Sequence, residues 1–282
     1  MKARIWSIIA IVLIACGIGF CMVALIMKGF DFTKFSTEGD EVTNEHVVEE
    51  DFTKISIDTS IADVRFEVSA DGKTRVVCHE TEKRIHEVKV ENGTLKIKEK
   101  NEKKWFEYIG IFGGFKKIEV TVYLPEKKAE NSNRKEKGAN ATRMELDELR
   151  INTSTGDVEL KDLLVKGDMI LDSSTGQHRL TNVLAGSATI DISTGDVIIN
   201  NSEFFGRLKI DGSTSDIRIT SGDAETVNID TSTGDIICSF LSEKNIKADT
   251  STGDIRVPEQ NGAGGECKLN TSTGDIKVEY VK

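Results

Sequence analysis

Acidic side chains recur at a nearly constant interval through the second half of this 282-residue chain. They belong to seven copies of a phrase close to (Asp/Asn)-x-Ser-Thr-Gly-Asp. The last position, 19 to 21 residues from one copy to the next, is occupied by Asp157, Gln177, Asp196, Asp216, Asp235, Asp254 and Asp275. The first position is occupied by Asn152, Asp172, Asp191, Asp211, Asp230, Asp249 and Asn270. A motif repeated at fixed spacing predicts a repeated structural unit.

Rows of carboxylates make cation binding the first chemistry to consider. If the copies stack, like charges about 5 Å apart repel by roughly 1 kcal/mol per pair in water, so solvent, local N–H groups or a bound cation must offset them. Calcium takes several oxygen ligands. The calcium-binding phrase Gly-Gly-x-Gly-x-Asp is absent, however, and Asp at a corner is more often a turn former. We therefore predict no metal site and no cofactor, and keep a calcium-binding structural solenoid as an alternative.

Catalytic chemistry has few candidate residues outside the repeat phrase. Those that depart from it are Gln177-His178-Arg179 and Phe204-Phe205-Gly206-Arg207. His178 is the best candidate for a special role, although a solvated strand histidine is the favoured interpretation. The four histidines have no metal-binding spacing, and no serine-nucleophile, phosphate-loop or zinc motif is present. We predict a protein without catalytic residues; a β-helix enzyme acting on polysaccharides is the alternative.

The elements that position these residues are short strands on either side of a glycine corner. Apolar residues alternate before and after the phrase, as in Leu149 and Ile151 before the first copy and Val158 and Leu160 after it. Glycine tolerates the sharp bend between them. The predicted corner residues are Gly156, Asp157, Gly176, Gly195, Asp196, Asp216, Gly234, Asp235, Gly253, Asp254, Gly274 and Asp275, with Ser215 replacing glycine once. Each copy is therefore predicted to be strand, corner, strand.

Two architectures fit this unit, a hairpin meander and a parallel β-solenoid. A meander allows its connecting loops to vary, whereas each coil of a solenoid lies on the last, about 4.8 Å away, and tolerates little variation in length. The constant interval favours an all-β fold, a parallel β-helix or solenoid of about 19–20 residues per coil. Consecutive copies are expected to lie in register, so that equivalent side chains form columns.

Residues 5–27 are predicted to be a transmembrane helix. This stretch carries no charge over 23 residues, enough to cross a hydrocarbon core at about 1.5 Å per residue. Lys2 and Arg4 precede it, which predicts a cytoplasmic tip at residues 1–4 and a single-pass cell-membrane protein whose C-terminal domain is extracytoplasmic. Leu13-Ile14-Ala15-Cys16 also resembles a lipoprotein processing box with Cys16 as the lipidated residue, but the chain stays apolar as far as Met27.

Charge and cysteine usage restrict the function classes further. Removing Lys2, Arg4 and Lys28 from the 37 basic residues leaves 34 against 47 acidic residues, a net charge of −13 for the outer part. That sign disfavours nucleic acid as a partner. Of the five cysteines, Cys16 and Cys21 lie in the predicted helix. Cys238 and Cys267 occupy inward strand positions in non-adjacent repeats, Cys78 lies in a separate strand, and all three are interpreted as small core residues.

Composition divides the rest of the outer part into regions. They are an acidic tether 28–50, an N-terminal β region 51–125, a charged connector 126–150 with a short helix predicted over 141–149, and the repeat solenoid 151–282. A degraded copy of the repeat runs from Ile55 to Phe66, so coiling is expected to begin before residue 151. The sequence Glu91-Asn92-Gly93-Thr94 predicts a hairpin turn. The aromatic segment 105–115 is interpreted either as a lid on the solenoid or as a loop at the membrane interface.

The order of these features resembles a known family. An apolar anchor, a degraded Ile-Asp copy, the strand Ile118-Glu119-Val120-Thr121-Val122-Tyr123-Leu124-Pro125 and tandem Ser-Thr-Gly-Asp repeats are similar to the bacterial putative-adhesin family of β-strand-repeat envelope proteins, a domain of unknown function. The resemblance covers most of residues 51–282. It implies a parallel β-helix displayed outside the membrane, in some members alongside cell-envelope stress systems, with no catalytic residues to carry over. The long charged stretch after Pro125 departs from the family pattern.

These observations predict a non-catalytic, membrane-anchored surface scaffold, adhesin-like or related to envelope stress. Its expected partners are the membrane through residues 5–27, and a cell-wall polymer or an envelope signalling protein. The contact surface is expected to be a ridge of exposed strand residues that carries more base than acid. The ridge residues are Glu159, Arg179, Ile198, Arg218, Ile237, Arg256 and Lys277.

Overall fold

The computed structural model describes residues 40–101, 117–128, 142–260, 262 and 264–281. The predicted transmembrane helix with Cys16, the aromatic segment 105–115 and most of the charged connector lie outside these residues. Within them, no helix has the length and apolar character needed to cross a membrane. The chain packs as two compact units, of which the first comprises Met1–Glu41, Thr81–Arg84 and Asn101–Lys116. The second, comprising Val42–Glu80, Ile85–Lys100 and Lys117–Lys282, contains the fold described below.

The second unit is a parallel β-solenoid whose internal coils have three sides. The repeat strand before Ser-Thr-Gly-Asp forms the first side and the strand after it forms the second. A third, shorter side follows, and its pairs run from Leu163 opposite Met144 to Phe204 opposite Ala224. The chain then regains the first side through a register shift that recurs in successive coils, as between Val165 and Asp168. The parallel pairing confirms the solenoid, but the predicted two-sided unit omitted the third side.

The strands of the first side stack in a continuous parallel order. In spatial order they are β6 (Thr94–Asn101), β2 (Lys54–Thr59), β10 (Glu148–Thr155), β12 (Leu163–Thr175), β14 (Leu184–Thr194), β16 (Glu203–Thr214), β17 (Ile217–Thr233), β21 (Gly265–Thr273) and β19 (Lys244–Thr252). Strands β12, β14 and β16 also contain the third-side residues, and β17 contains residues of all three sides.

The second side has the same spatial order. Its strands are β7 (Ile118–Leu124), β3 (Ala62–Val68), β11 (Val158–Lys161), β13 (His178–Thr181), β15 (Val197–Asn200), the first residues of β17, β18 (Ile236–Phe240), β22 (Ile276–Tyr280) and β20 (Ile255–Arg256). The degraded copy pairs directly with the first regular copy, as in Asp58 opposite Asn152, which confirms that coiling begins before residue 151.

The order of coils in space differs from their order along the chain at both ends. Strands β21 and β22 lie between the coil of β17 and β18 and the coil of β19 and β20, so the last copy is the penultimate coil. At the other end, β6 and β7 lie outside β2 and β3, although they follow them in the chain. The expectation that consecutive copies always stack on one another is therefore wrong for the terminal coils.

Two kinds of corner separate the sides. At the first corner Gly195 has a φ of +132°, and a Cβ there would overlap the carbonyl oxygen of Gly176 in the coil below. The repeat needs glycine because of this close approach as well as the backbone angle. At the second corner Asp162, Asn182, Asn201 and Ser221 adopt φ between +48° and +57°. Asn and Asp tolerate this conformation, so the second corner does have a sequence signal, which the strand pattern alone did not identify.

Further strands lie beside the N-terminal end of the stack. They are β1 (Glu41–Val48), β4 (Thr74–Thr81), β5 (Arg84–Glu91), β8 (Lys127–Lys128) and β9 (Thr142–Leu146). Strand β4 pairs antiparallel with β7, for example Cys78 with Val120. Asn92 and Gly93 both have positive φ, as the predicted two-residue turn between β5 and β6 requires.

Two regions of this part differ from the predictions. Strand β1 occupies most of the second half of the predicted tether, because its alternating residues half-bury one face. Strands β9 and β10 occupy the predicted helix at 141–149, because Met144 and Leu146 in β9, and Leu149 and Ile151 in β10, point toward the core with a strand period. The charged residues between them face outward.

The core is a set of apolar columns, one for each inward position of the coil. In the first column Leu149, Met169, Ala188, Leu208 and Val227 are all buried, and each pairs with the next. Stacking removes apolar area from water at every interface, at about 25 cal/mol per Å².

The three described cysteines, Cys78, Cys238 and Cys267, are free and buried, as predicted for core residues. Cys238 and Cys267 nevertheless belong to coils that are neighbours in space, because the last copy inserts before the preceding one. Their placement in non-adjacent repeats was therefore wrong.

Candidate binding face

The aspartates of the repeat corner form a ladder along the stack. Apart from that of Asp254 in the end coil, each carboxylate accepts a hydrogen bond from the backbone N–H of the equivalent residue in the next coil. In stack order, this corner column is Asp63, Asp157, Gln177, Asp196, Asp216, Asp235, Asp275 and Asp254. The N–H of Asp157 reaches Asp63 at 2.9 Å, and the N–H of Asp235 reaches Asp216 at 2.9 Å. Backbone donors thus offset part of the repulsion between the stacked carboxylates.

The ladder follows the spatial order of the coils. The N–H of Asp275 donates to Asp235 at 2.8 Å, and the N–H of Asp254 donates to Asp275 at 2.8 Å. At the open end Asp254 pairs with Arg256 at 3.1 Å. The corner aspartate accepts a hydrogen bond from the next coil, and this contact explains why aspartate recurs at the corner without a bound cation.

Gln177 is the one corner residue of another type, and its amide makes a different contact. Its N–H still donates to Asp157 at 2.8 Å, but its Oε1 accepts from the guanidinium of Arg179 at 2.6 Å. The amide carries no charge, so this contact leaves the positive charge of Arg179 without a counterion at the corner.

The predicted ridge lies two residues beyond the corner, on the outer face of the second side. In stack order it is Arg65, Glu159, Arg179, Ile198, Arg218, Ile237, Lys277 and Arg256, so the last two positions are reversed relative to the chain. Basic residues alternate with half-buried isoleucines from Arg179 to Lys277. Since strands are about 4.8 Å apart, basic groups recur roughly every 10 Å.

The basic residues of the ridge differ in how far neighbouring carboxylates compensate their charge. Arg65 pairs with Glu119 at 3.2 Å and with Glu159 at 3.4 Å, so its charge is compensated within the fold. Lys277 pairs with Glu279 at 3.1 Å through side chains that are both about half exposed. Arg218 is exposed and forms no ion pair with any residue that the structure describes.

A third outward column completes this face. It contains Lys161, Thr181, Asn200 and Thr220 and, beyond a shift of register, Ser239 and Glu279. The three columns together, which we call the ladder face, present carboxylate acceptors, guanidinium and ammonium donors, apolar isoleucine surface and hydroxyl groups in parallel rows. Because the rows run across strands, the same set of groups repeats along the stack, and an extended ligand could contact several coils at once.

The second acidic row lies on the first side and is less well compensated. Asp172, Asp191 and Asp211 are direct partners in consecutive coils. Burial raises the pKa of Asp191, and the charges of Asp172 and Asp211 raise it further, while Lys209 lowers it. Lys209 forms an ion pair with Asp211, and the amide of Asn270 donates to Asp230 at 3.1 Å. These contacts compensate individual members of the row.

His178 lies in the core, so its interpretation as a solvated residue was wrong. It occupies the inward position between Val158 and Val197 and is fully buried. Its Nε2 lies 2.8 Å from the hydroxyl oxygen of Ser173, and its Nδ1 has no hydrogen-bond partner among the residues that the structure describes. Burial lowers the pKa of His178 to about 4, although the charge of Asp157 acts in the opposite direction. The strand alternation already places position 178 inward, as the equivalent of Val158, and the interpretation was wrong because it followed the polar residue type and not the position.

The other residues that depart from the repeat phrase do not form a site with His178. Phe204 is buried at the third side, Phe205 is half-buried, and Arg207 is exposed beyond the bulge of β16. A different group of polar side chains is buried together, namely Glu80 and His86 with Thr59. Sequence reasoning did not identify this group. The only signal for it is the alternation that places Cys78 and Glu80 on one face of β4.

Comparison with solved structures gives several similar proteins. One, described as a putative adhesin from Bacteroides fragilis, is 16% identical with a TM-score of 0.43 and covers 85% of this chain and 97% of its own. Another described in the same way, from Parabacteroides distasonis, is 15% identical with a TM-score of 0.40 over 86% and 98%. A third, from the same species, is described as a putative lipid binding protein, with 16% identity and a TM-score of 0.31 over 86% and 98%.

At these identities and TM-scores, the similarities say nothing about what this chain binds. No curated protein matches the chain significantly. The model of one family, described as Toastrack DUF4097, matches residues 52–282, which include the whole stack of coils. The chain therefore belongs to the Toastrack DUF4097 family.

Proposed function

We propose that this chain is a non-catalytic surface scaffold that binds a linear envelope polymer along its ladder face. The proposal includes a membrane anchor at residues 5–27 and an extracytoplasmic solenoid, as the composition of the chain suggests. The ligand class is a polymer that combines hydroxyl groups with spaced negative charges, such as an anionic envelope polysaccharide. A protein partner from the envelope is the second candidate.

The alternation of basic and apolar residues along the ridge is the observation that carries this proposal. Guanidinium groups bind carboxylates and phosphates, and the isoleucines between them offer flat apolar contact. The corner carboxylates can accept hydrogen bonds from hydroxyl groups. A polymer lying along the stack would meet each of these groups once per coil or once per two coils, so many weak contacts add without any deep pocket.

The outer part of the chain is strongly acidic, so the position of the basic groups matters more than their number. The solenoid holds its basic ridge next to an acidic column, and the carboxylates of that column are partly occupied by backbone N–H groups. This arrangement favours a ligand with spaced charges over a uniformly anionic surface, whose dense charge would meet both columns.

The test is retention of the full-length chain, purified in detergent, on insoluble cell-wall fractions. A triple variant of the ridge, Arg179→Ser, Arg218→Ser and Lys277→Ser, should lose about tenfold in retention, because each exposed contact contributes roughly 0.5 kcal/mol. The matched control changes three exposed basic residues of the first side, Arg150→Ser, Lys247→Ser and Lys268→Ser. It removes the same charge and should bind like the original chain.

Each arm of this experiment discriminates between functions. Equal losses in the two triple variants would contradict the ladder face and leave only a net-charge effect. Release of soluble fragments during incubation would contradict a non-catalytic role. Binding to anionic lipid vesicles in place of wall material would replace the polymer with a membrane surface, and no retention on either would favour an envelope protein as the partner.

A further inference from the structure

Three side chains with metal-binding donor atoms meet beside the N-terminal end of the solenoid. Cys78 and Glu80 project from the same face of β4, and His86 projects from β5. The thiol sulfur, a carboxylate oxygen and a ring nitrogen all lie within 4.8 Å of one another, and all three residues are buried. The side chains of Glu80 and His86 are completely inaccessible to solvent.

Hydrogen bonds behind His86 determine which ring nitrogen carries its proton. The Oε2 atom of Glu99 accepts the backbone N–H of Ser60 at 2.6 Å and the hydroxyl of Thr59 at 3.1 Å. A threonine hydroxyl has one hydrogen, so after donating to Glu99 it can only accept from His86. The contact of 3.0 Å between Thr59 Oγ1 and His86 Nε2 therefore places a hydrogen on Nε2.

The other ring nitrogen then requires a positive centre in front of it. His86 Nδ1 lies 2.7 Å from Glu80 Oε2, which also accepts the backbone N–H of His86 at 2.7 Å. An imidazole with its hydrogen on Nε2 presents a lone pair at Nδ1, and a carboxylate presents only lone pairs. Two lone pairs do not meet at this distance, so either a proton lies between the two atoms or a metal ion beside them contacts both.

Cys78 distinguishes these two possibilities. A proton shared by Nδ1 and Oε2 already has its two partners and gains nothing from a third donor. A thiol sulfur, an imidazole nitrogen and a carboxylate oxygen are together the ligand types of zinc and related divalent ions. We propose that Cys78, Glu80 and His86 bind a divalent transition-metal ion of the zinc type.

The surrounding residues hold these ligands as the outer shell of a metal site does. The second carboxylate oxygen of Glu80 accepts from the amide of Asn44 at 2.6 Å. The ring of His86 is oriented through Thr59 and Glu99, which lie on β2 and β6. Such partners fix ligand orientation and raise ligand basicity. The bound ion connects β4 with β5, and its outer partners add β1, β2 and β6.

The proton balance of binding follows from this geometry. The thiol proton of Cys78 and the proton shared by His86 and Glu80 must both leave when a divalent ion binds. One ion therefore replaces two protons, and the net charge of the cluster is unchanged. Because the three ligands are buried, we expect the ion to bind as this part of the chain folds.

Cobalt(II) is the probe, added to the full-length chain in detergent after treatment with a chelator. One equivalent should give a thiolate-to-cobalt charge-transfer band and tetrahedral visible bands, and release two protons. Cys78→Ala should abolish the charge-transfer band. The matched variants Cys238→Ala, Cys267→Ala and the double change Cys16→Ala and Cys21→Ala should retain it.

Folding and metal binding are separated by a second set of measurements. Zinc should raise the melting midpoint of the original chain and of Cys238→Ala, whereas Glu80→Gln and His86→Gln should bind cobalt at least tenfold more weakly. Circular dichroism checks that each variant remains folded. The absence of a charge-transfer band in the original chain, or a band that survives in Cys78→Ala, would overturn the proposal and leave a shared proton as the positive centre.

Discussion

At the residue scale, His178 makes the fold sensitive to acid. Its pKa in the folded chain is about 4, against 6.5 for the free side chain, so between these values the unfolded chain binds a proton that the folded chain excludes. Because the pKa of His178 is depressed in the folded chain, the free energy of unfolding is at its full value above pH 6.5 and decreases as the pH falls toward 4. The loss is about 3 kcal/mol, from roughly 1.4 kcal/mol per pH unit.

His178→Val tests this expectation, because both neighbouring coils place valine at the same position. The free energy of unfolding, measured with denaturant at pH 7.5 and 4.5, should fall less in the variant than in the original chain, by about 3 kcal/mol. His79→Gln, a change at an exposed histidine, is the control and should leave the difference as it was. Identical pH dependence in all three would show that His178 does not carry the effect.

Also at the residue scale, Gly212 and Ser215 exchange roles within one coil. Equivalent positions elsewhere hold a larger inward residue such as Thr231 and a glycine at the corner. A Cβ on Gly212 would lie 3.0 Å from Ser215 Cβ and 3.1 Å from Thr231 Oγ1, so the serine side chain fills the space that the glycine leaves. Ser215 is buried, although its hydroxyl has no hydrogen-bond partner within the described part of the chain.

We expect the two positions to be strongly coupled. Gly212→Thr alone should destabilise the fold by about 1–3 kcal/mol through overpacking. Ser215→Gly alone should cost about 1 kcal/mol through the space it leaves. The double variant restores the sequence of the neighbouring coil that contains Thr231 and Gly234, and it should recover most of the loss. Denaturant unfolding of all four chains measures this recovery as a coupling energy. Additive effects would contradict the exchange.

At the element scale, the corner ladder stabilises the interface between successive coils. Asp235 accepts the N–H of Asp275, whereas the carboxylate of Asp254, in the end coil, pairs with Arg256 and accepts no N–H from another described coil. Asp235→Ala should therefore cost about 1 kcal/mol, since it leaves the N–H of Asp275 without its acceptor. Asp254→Ala removes the same carboxylate but should cost under about 0.5 kcal/mol, as expected for a solvent-exposed ion pair.

Thermal and denaturant unfolding of these two variants provide the comparison. Asp235→Asn adds a useful third chain, because its amide oxygen can still accept the hydrogen bond, and it should lie between the original chain and Asp235→Ala. If Asp254→Ala were as damaging as Asp235→Ala, the aspartate would act within its own corner and the ladder between coils would contribute nothing.

The edge of the end coil is covered locally by one side chain. Gln260 accepts the N–H of Ile246 at 2.7 Å and donates to its carbonyl oxygen at 3.1 Å, as a neighbouring strand would. Pro258 follows shortly after β20 and has no N–H to offer another strand. Exposed strand edges invite pairing with other chains, so these residues limit edge-to-edge association. Ile255 and Val257 remain partly exposed beside them.

At the scale of the solenoid unit, the reversed order of the last two coils protects the C-terminal copy. Strand β22 pairs on one side with β18 and on the other with β20, whereas β20 has β22 as its single partner among the described strands. Amide protons of β21 and β22 should therefore exchange at least tenfold more slowly than those of β19 and β20. Stacking in chain order would reverse this ranking, and hydrogen exchange followed by mass spectrometry or NMR separates the two.

A pair of matched substitutions gives an independent measure of the same order. Val278 is 5% exposed in the penultimate coil, and Val257 is 37% exposed beyond the end coil. Val278→Asp buries an unpaired charge and should cost several kcal/mol, while Val257→Asp should be tolerated within about 1 kcal/mol. Unfolding midpoints of the two chains provide the comparison, and equal losses would contradict the position of the last copy.

The three buried thiols of this unit all have raised pKa values. Burial raises the pKa of Cys78 to about 12, with a contribution from Glu80, and burial raises the pKa of Cys267 to about 12 as well. The pKa of Cys238 is raised well above its ordinary value, again mainly by burial. These thiols are therefore protonated and unreactive at neutral pH unless a bound cation displaces the proton.

The sequence alone determined the local features of this protein. The length of the coil, the alternation of inward and outward residues, the corner at each Gly-Asp and the ridge beyond it all follow from steric rules that act within a few residues. The parallel solenoid followed too, because only stacked coils require a nearly constant interval. His178 was misplaced because its polar residue type was given more weight than its position, which the alternation makes inward like that of Val158.

Only the tertiary structure decided which coils are neighbours and which distant residues meet. Every interface between coils uses nearly the same groups, with glycine over glycine and a carboxylate over an N–H, so the repeat phrase does not encode the order of stacking. The chain can place its last copy inside the stack because the contacts there are equivalent to those at the end. The tertiary structure also brings Cys78, Glu80 and His86 together. Antiparallel strands outside the repeat join them, and no spacing in the sequence predicts that pairing.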